Sequence, residues 1–406
     1  MDSFDSSSAY FSIRVPILAA TRPMLKASVC SLAAKHLHRL ASQPTASQPH
    51  RSPLGWIAED IDGKFQSVNF YDQTLTYLKE ALGSEAADVE TATALSRREE
   101  MFAVIAILCI TEWRAHLSAL PFLHLGVPGG SSPGYPFPNS SMQVSRSVFW
   151  SLARQDCLSA YPHQTGPGDL DLWRNFDLAI DPFGLLLPTT PGKFYRIADP
   201  WLEEARRSNA LIWIMGKICN LITSGDGLTA GEFESPPGHR PWFGATQEDH
   251  LERWKSLERE LRNWHNSLPE TFNPCAQKPL ALSELLPVSS GCPQALLATL
   301  FTIPMCAVTI QTYLMARILL LINQPQESTA IRSTVTARLR SYRETSIEVL
   351  QHARQVCSIS LAGLPDAMLP HSVQPLFVAG QCFEEPWERQ LVLKLLRGIE
   401  RDIRTW

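Results

Sequence analysis

Residues 294–323 read QALLATLFTIPMCAVTIQTYLMARILLLIN and are the most apolar part of the 406-residue chain. A helix that is apolar on nearly all sides lies in the centre of a helical protein, and Pro304 is expected to kink or to start it. The stretch is long enough for a membrane span, but threonines, a glutamine and a proline interrupt it. The sequence therefore predicts a buried core helix without membrane contact, with Leu314, Ile318 and Leu321 inside.

Further segments on both sides of this stretch have a helical apolar period. Their apolar residues recur every three or four positions, and prolines or glycines separate the segments. No alternating strand pattern is flanked by Asn-Gly or Asp-Gly, so there is no hairpin signal. The sequence therefore predicts an all-α, multi-helix domain. The predicted helices cover residues 27–40, 65–82, 97–120, 141–161, 203–223, 246–268, 341–361, 375–383 and 386 to the end.

Composition divides the chain into two parts. Residues 1–55 are rich in Ser, Ala, Gln and Pro, which is typical of loosely ordered chain, and they lack the basic-then-apolar order of a signal peptide. We therefore predict a poorly ordered N-terminal segment, 1–64, followed by the all-α domain, 65–406.

Charge and cysteine content exclude several classes of protein. Thirty-six basic and forty acidic residues give a net charge of −4, so no overall field attracts nucleic acid or anionic lipid. The nine cysteines include no CxxC pair, which leaves no local thiolate cluster for zinc or iron–sulfur. They are expected to be buried free thiols in a reducing compartment.

No catalytic, cofactor-binding or metal-binding residue is predicted. Residues 130–134 match G-x-S-x-G, but Pro133 follows the serine and has no N–H for an oxyanion hole. The acidic runs at 59–62 and 169–171 lie outside apolar helices, so they are interpreted as solvated loops. His36 and His38 point to different faces of a helix and do not chelate one ion easily.

Eleven tryptophans and one basic stretch are two further features of the sequence. Most of the tryptophans fall in predicted helices beside aliphatic residues, which favours core packing over a ligand pocket. The basic stretch 332–343 has a single aromatic residue, Tyr342, and is interpreted as a solvated helix face rather than a nucleic-acid surface. The tryptophans of the predicted helices are Trp113, Trp150, Trp213, Trp254, Trp264 and Trp387.

Five segments in chain order carry motifs of one family. Trp150 closes an aromatic pair that precedes Arg154-Gln155-Asp156, and Asn323-x-Pro325 ends the apolar core helix. These segments resemble the fungal-specific transcription factor regulatory domain, the middle homology region of binuclear zinc-cluster transcription factors. The resemblance covers about 65–406, and Cys157 stands where the family has an aliphatic residue. The segments are Trp113–Ala119, Ser147–Ala160, Trp254–Phe272, Tyr313–Pro325 and Gln374–Trp406.

The resemblance implies a transcription regulator of a fungal nucleus that is not an enzyme and needs no cofactor. Its implied partners are the transcription machinery or other transcription factors, and its implied targets are metabolic or secondary-metabolite genes. A small-molecule inducer bound among the helices is a further implication. The alternative from another class is a helical enzyme of secondary metabolism with a tryptophan-lined pocket.

The family's DNA-binding module is not found in this sequence. That module is a six-cysteine zinc cluster, whereas residues 1–64 contain a single cysteine, Cys30. The sequence therefore predicts no stoichiometric zinc and no autonomous DNA binding. DNA would be a partner only if an upstream zinc cluster is missing from this chain.

Overall fold

A computed structural model describes residues 10–41, 63–84, 92–111, 202–224, 243–281, 295–325 and 335–404, and five helical residues between 150 and 157. The chain divides into two compact units. One unit comprises 1–156 with 404–406, and the other comprises 157–403. Within the described residues the protein is helical apart from one two-stranded sheet, which confirms the predicted fold class.

The first unit contains four described α-helices. A π-helical turn, Tyr10–Arg14, leads into α1, and Ser31 and Ser67 join α2 to α3 by exchanging hydroxyl-to-carbonyl hydrogen bonds of 2.9 and 3.0 Å. Lys35 of α2 donates to the carbonyl of Thr111 in α4. The helices are α1 (Val15–Ala19), α2 (Pro23–Ala41), α3 (Gly63–Ser84) and α4 (Ala92–Thr111).

The predicted N-terminal segment is therefore helical where the structure describes it. The helix expected over 27–40 is present as α2 and begins earlier, at Pro23, a favourable first-turn residue. Its side chains Leu25 and Ser31 are buried. The division into 1–64 and 65–406 stays a prediction, although α3 begins at Gly63, crosses this boundary and packs on α2.

The second unit contains six described α-helices and the sheet. A 3₁₀ turn, Glu270–Phe272, follows the second of these helices, and the sheet pairs β1 with β2 in antiparallel order, with Ala276 opposite Leu300 and Ala281 opposite Ala295. The elements are α5 (Leu202–Ser224), α6 (Phe243–Asn266), β1 (Ala276–Ala281), β2 (Ala295–Leu300), α7 (Pro304–Ile322), α8 (Val335–Ser360), α9 (Leu369–Cys382) and α10 (Pro386–Arg404).

Helix α7 is the core of the second unit. Leu314 and Ile318 are buried as predicted, whereas Leu321 is only half-buried, because it lies in the last turn of the helix. Of the described helices, α7 alone is long and apolar enough to cross a membrane, and 72% of that window is buried inside the protein. This burial is typical of a core helix, as the sequence predicted.

Three predicted elements begin six or more residues from their predicted starts, and one of them is α8, which was expected from residue 341 and begins at Val335. The single helix expected over 294–323 starts only at Pro304, and residues 295–300 form β2, so the absence of a hairpin signal was misleading. The helix expected from Pro375 begins six residues earlier, at Leu369, and keeps Pro375 in its interior. The helix predicted around 141–161 has only its residues 150, 151, 153, 154 and 157 described, all of them helical.

Candidate functional site

The largest group of interacting charged side chains in the described residues lies where α6, α7 and α8 meet. Arg317 is the one charged residue in the sequence of α7, and it extends between the two flanking helices. Its guanidinium donates to Glu258 of α6 at 3.0 Å and to Glu348 of α8 at 2.6 Å. We call the following seven residues the three-helix cluster. They are Glu258, Arg262, His265, Tyr313, Arg317, Glu348 and His352.

The cluster continues outward from these two ion pairs. Arg262 donates to the same Glu258 oxygen at 2.5 Å from the next turn of α6. His352 lies 3.4 Å from the Glu348 carboxylate through its Nε2 atom. Arg317 and Glu258 keep only 14% of their side chains exposed, so their charges are poorly screened by water.

Burial and pairing shift the pKa values in opposite directions. Burial alone would raise the pKa of Glu348, but Arg317 and His352 hold it below its usual range. Burial would lower the pKa of Arg317, yet its hydrogen bonds to Glu348 and Glu258 raise it. Glu348 and Arg317 therefore both stay charged at neutral pH, as their ion pair requires.

The uncharged members complete the cluster. The His265 ring stacks on Tyr313 with centroids 4.4 Å apart, and burial lowers the pKa of this histidine. Burial and the nearby Arg317 charge also lower the pKa of His352, and burial raises the pKa of the Tyr313 phenol. At neutral pH both imidazoles are therefore neutral, and the phenol keeps its proton.

This arrangement fits a structural clamp better than a catalytic centre. A general base must be free to accept a proton from a substrate, but both carboxylates here are held by Arg317. Tyr313, whose pKa is raised by burial, keeps its proton at neutral pH and is therefore not available as a base. The cluster therefore fixes the mutual positions of α6, α7 and α8.

The described tryptophans of the second unit also join helices. The Trp254 indole donates to the Leu320 carbonyl of α7 at 2.7 Å, and the Trp264 indole donates to the Arg207 carbonyl of α5 at 2.9 Å. Both side chains are buried, as are Trp150 and Trp213, whereas Trp387 is half-buried. These positions agree with core packing for the four buried tryptophans, while Trp113 lies outside the described residues.

A buried amide connects α7 to the next two helices. Gln311 of α7 donates to the Val356 carbonyl at 3.1 Å and to the Ser360 hydroxyl at 2.7 Å. Its oxygen accepts from Ser372 of α9 at 2.7 Å. At the far end, Asn323 closes α7 by donating from its side chain to the Leu319 carbonyl. Two motif residues of the resemblance, Trp254 and Asn323, thus serve helix packing and helix termination.

The remaining candidates from the sequence are not brought together. His36 and His38 lie on α2, and within the described residues no three side chains of His, Cys, Asp or Glu converge as a metal site would require. The runs 59–62, 130–134 and 169–171 lie outside the described residues.

The cysteines that the structure describes are free thiols. Those at 157, 219, 306 and 357 are buried, as predicted, whereas Cys275 is exposed. Burial raises the pKa of Cys306 and Cys357 to about 12 and that of Cys382 to about 11, so these three are thiols rather than thiolates at neutral pH.

Fold and site together define a helical protein whose described charged and aromatic groups serve mainly to hold helices in place. In comparisons with known proteins, the chain is 31% identical to the transcription activator AMTR1 of Alternaria alternata. The similarity extends over 99% of this chain, which spans 59% of the length of that activator. No family model matches the chain, and no solved structure matches it.

Proposed function

We propose that this chain is a regulatory part of a fungal transcription activator and that it works in the nucleus through protein contacts. The observation that carries the proposal is the similarity to AMTR1 along nearly the whole chain. The partners that we propose are the transcription machinery or other transcription factors. The three-helix cluster is consistent with this role, because it stabilises a fixed scaffold for surface contacts and its carboxylates are engaged in ion pairs.

Three finer points belong to the same proposal. The zinc-cluster family type rests on the motifs around Trp254 and Asn323, and it leads us to propose metabolic or secondary-metabolite genes as targets. A small-molecule inducer is retained as a proposed ligand. DNA binding is assigned to a zinc cluster, which this sequence lacks, rather than to the helical units.

The enzyme alternative is not carried forward. It required tryptophans that line a pocket, but Trp254 and Trp264 have their indole N–H groups bound to backbone carbonyls of neighbouring helices. Two convergent carboxylates or a metal in that pocket would favour it, but Glu258 and Glu348, which converge in the three-helix cluster, are paired with Arg317. No specific observation in the described residues favours this class.

A fusion experiment tests the proposal. The chain is joined to a foreign zinc-cluster module and expressed in a fungal host with a reporter gene behind that module's binding site. We expect reporter output to rise well above that of the foreign module alone. The matched control is the same fusion with Ile318→Asp, which places a charge in the core of the second unit. An inert wild-type fusion, at protein levels equal to those of the foreign module, would contradict the proposal.

A further inference from the structure

The first half of α8 has three large apolar side chains that are exposed to solvent. Every described side chain from Leu339 to Glu344 is exposed. The exposed fraction is 51% for Leu339, 73% for Tyr342 and 56% for Ile347. Apolar residues grouped on one helix face are a common feature of surfaces that bind other proteins.

The exposure follows from the register of α7 against α8. The two helices run antiparallel, because Gln311 bonds to Val356 and Arg317, further along α7, bonds to Glu348. Continuing this register places the last turn of α7, at Ile322, level with Arg343. The part of α8 before Arg343 therefore extends beyond the end of α7, which stops at Asn323.

The exposed part continues a helix face that is covered further along. Tyr342 precedes Val349 by seven residues and Val356 by fourteen, so the three lie on the same side of α8. Val349 is 8% exposed and Val356 is fully buried, whereas Tyr342 is 73% exposed. The face that other helices cover in the second half of α8 is thus left uncovered by the described helices in the first half. We call Leu339, Arg340, Tyr342, Arg343 and Ile347, which lies about 140° around the helix from Tyr342, the α8 surface.

Charge on this surface indicates what covers it. At 100° per residue, Arg343 lies about 30° from the centre of the three apolar residues, and Glu344 lies about 130° from it. Neither Arg340 nor Arg343 forms an ion pair with another described residue. A second copy of this chain that used the same surface would bring arginines rather than carboxylates to it, which is unfavourable.

We propose that the α8 surface binds a short acidic amphipathic helix of a partner protein. Apolar residues of that helix, three and four positions apart, would pack on Leu339, Tyr342 and Ile347, and its carboxylates would pair with Arg340 and Arg343. This inference rests on the proposed function for the nature of the partner, because acidic amphipathic segments are typical of activation regions. The three exposed apolar side chains of this surface favour such a helix over nucleic acid, whose phosphates bind to cationic side chains alone.

The test measures binding of a designed peptide to the full chain by fluorescence anisotropy. The peptide has about 16 residues, with leucine at every third and fourth position and glutamate at most others. A second peptide carries lysine in place of each glutamate. We expect the acidic peptide to bind, and its affinity to fall as salt is raised from ~50 to ~500 mM. We expect the lysine peptide not to bind.

Two matched double variants locate the binding. Leu339→Ala with Arg340→Glu changes the α8 surface, and Leu393→Ala with Lys394→Glu makes the same change on α10, where Leu393 is 50% exposed. Because all four side chains are exposed, both variants should fold. We expect the first variant to weaken binding of the acidic peptide about tenfold or more, and the second to leave it unchanged.

Several outcomes would overturn the proposal. These are no binding by the wild-type chain, equal loss in both variants, or equal binding of the lysine peptide. Self-association or duplex DNA binding that the first variant abolishes would instead assign the surface to a second copy or to nucleic acid. If the peptide binds but the reporter fusion is inert, the proposed function is refuted and the proposed binding surface is not. If the fusion is active but the peptide does not bind, only the proposed binding surface is refuted.

Discussion

Arg317 shows what a single residue contributes to this protein. A charge inside an otherwise uncharged apolar helix is costly to bury unless it is paired. Its presence among the residues of α7 therefore indicated that acidic partners must lie on the neighbouring helices. Glu258 and Glu348 are those partners, but one sequence offers forty acidic residues and no means of choosing between them. The existence of this site was predictable, and its membership was not.

Ile318 tests the assignment of the core at the same scale. Replacing Ile318, which is fully buried, by aspartate places an unpaired charge in the interior. We expect the free energy of unfolding to fall by about 4 kcal/mol or more, which is enough to unfold the second unit. The measurement is the loss of cooperative thermal unfolding, followed by circular dichroism.

Ile322→Asp is the matched control for that change. Ile322 lies one turn further along α7 but is 54% exposed, so aspartate there remains hydrated. We expect its unfolding midpoint to stay close to that of the wild type. A cooperatively melting Ile318→Asp variant, or equal destabilisation by both changes, would refute the central position of α7.

At the scale of elements, most helices follow from the apolar period, and the errors have local causes. Pro304 marked a boundary, but the run before it, ALLATL, is short and apolar, and such a run fits a buried strand or a helix equally well. Its partner β1 contains Pro279, which argues against a central strand and is tolerated in a two-stranded sheet. The pairing became favourable only through contacts distant in sequence, such as that between Thr299 and Ser358 of α8.

The start of α9 was misplaced for a related reason. Pro375 is a favourable first-turn residue, but Pro370 can fill that role as well. Inside the helix, Pro375 has no N–H to donate to the His371 carbonyl, and this cost argues against an interior position when the sequence alone is considered. The bond from Ser372 to the buried Gln311 holds the extra turn in place. Tertiary contact thus outweighed the local rule.

The packing of α6, α7 and α8 should depend on pH. The pKa of His352 in the folded protein is below its usual 6.5, because burial and Arg317 disfavour the charged ring. As pH falls below about 6.5, the unfolded chain binds a proton on this residue and the folded chain does not. Stability is therefore complete above that pH and decreases below it. We expect the unfolding midpoint in urea to fall between pH 7.5 and pH 5.5.

His352→Gln should reduce this dependence, because glutamine does not titrate. His265→Gln should act in the same direction, since burial lowers the pKa of His265 too. His250→Gln, on α6 but outside the three-helix cluster, is the control. If all three variants keep the pH dependence of the wild type, the histidines of the cluster are not its source.

At the scale of the whole molecule, net charge bears on DNA. A net charge of −4 opposes approach to the phosphate backbone. We expect this chain to show at most weak binding at low salt, lost near ~150 mM salt and indifferent to sequence. Anisotropy with labelled duplexes of different sequence measures this. Nanomolar, sequence-dependent binding at ~150 mM salt would contradict it.

The small sheet has a consequence for solubility. The β2 segment has neither charge nor proline, the composition of peptides that stack into fibrils when their backbone is free. β1 pairs with one edge of β2, and the Ser358 hydroxyl of α8 occupies the Leu297 carbonyl. Pro279 and Lys278 make β1 itself a poor template for a further strand. The pairing therefore protects β2 against aggregation, and partial unfolding around α8 would expose an uncharged, proline-free strand that is able to self-assemble.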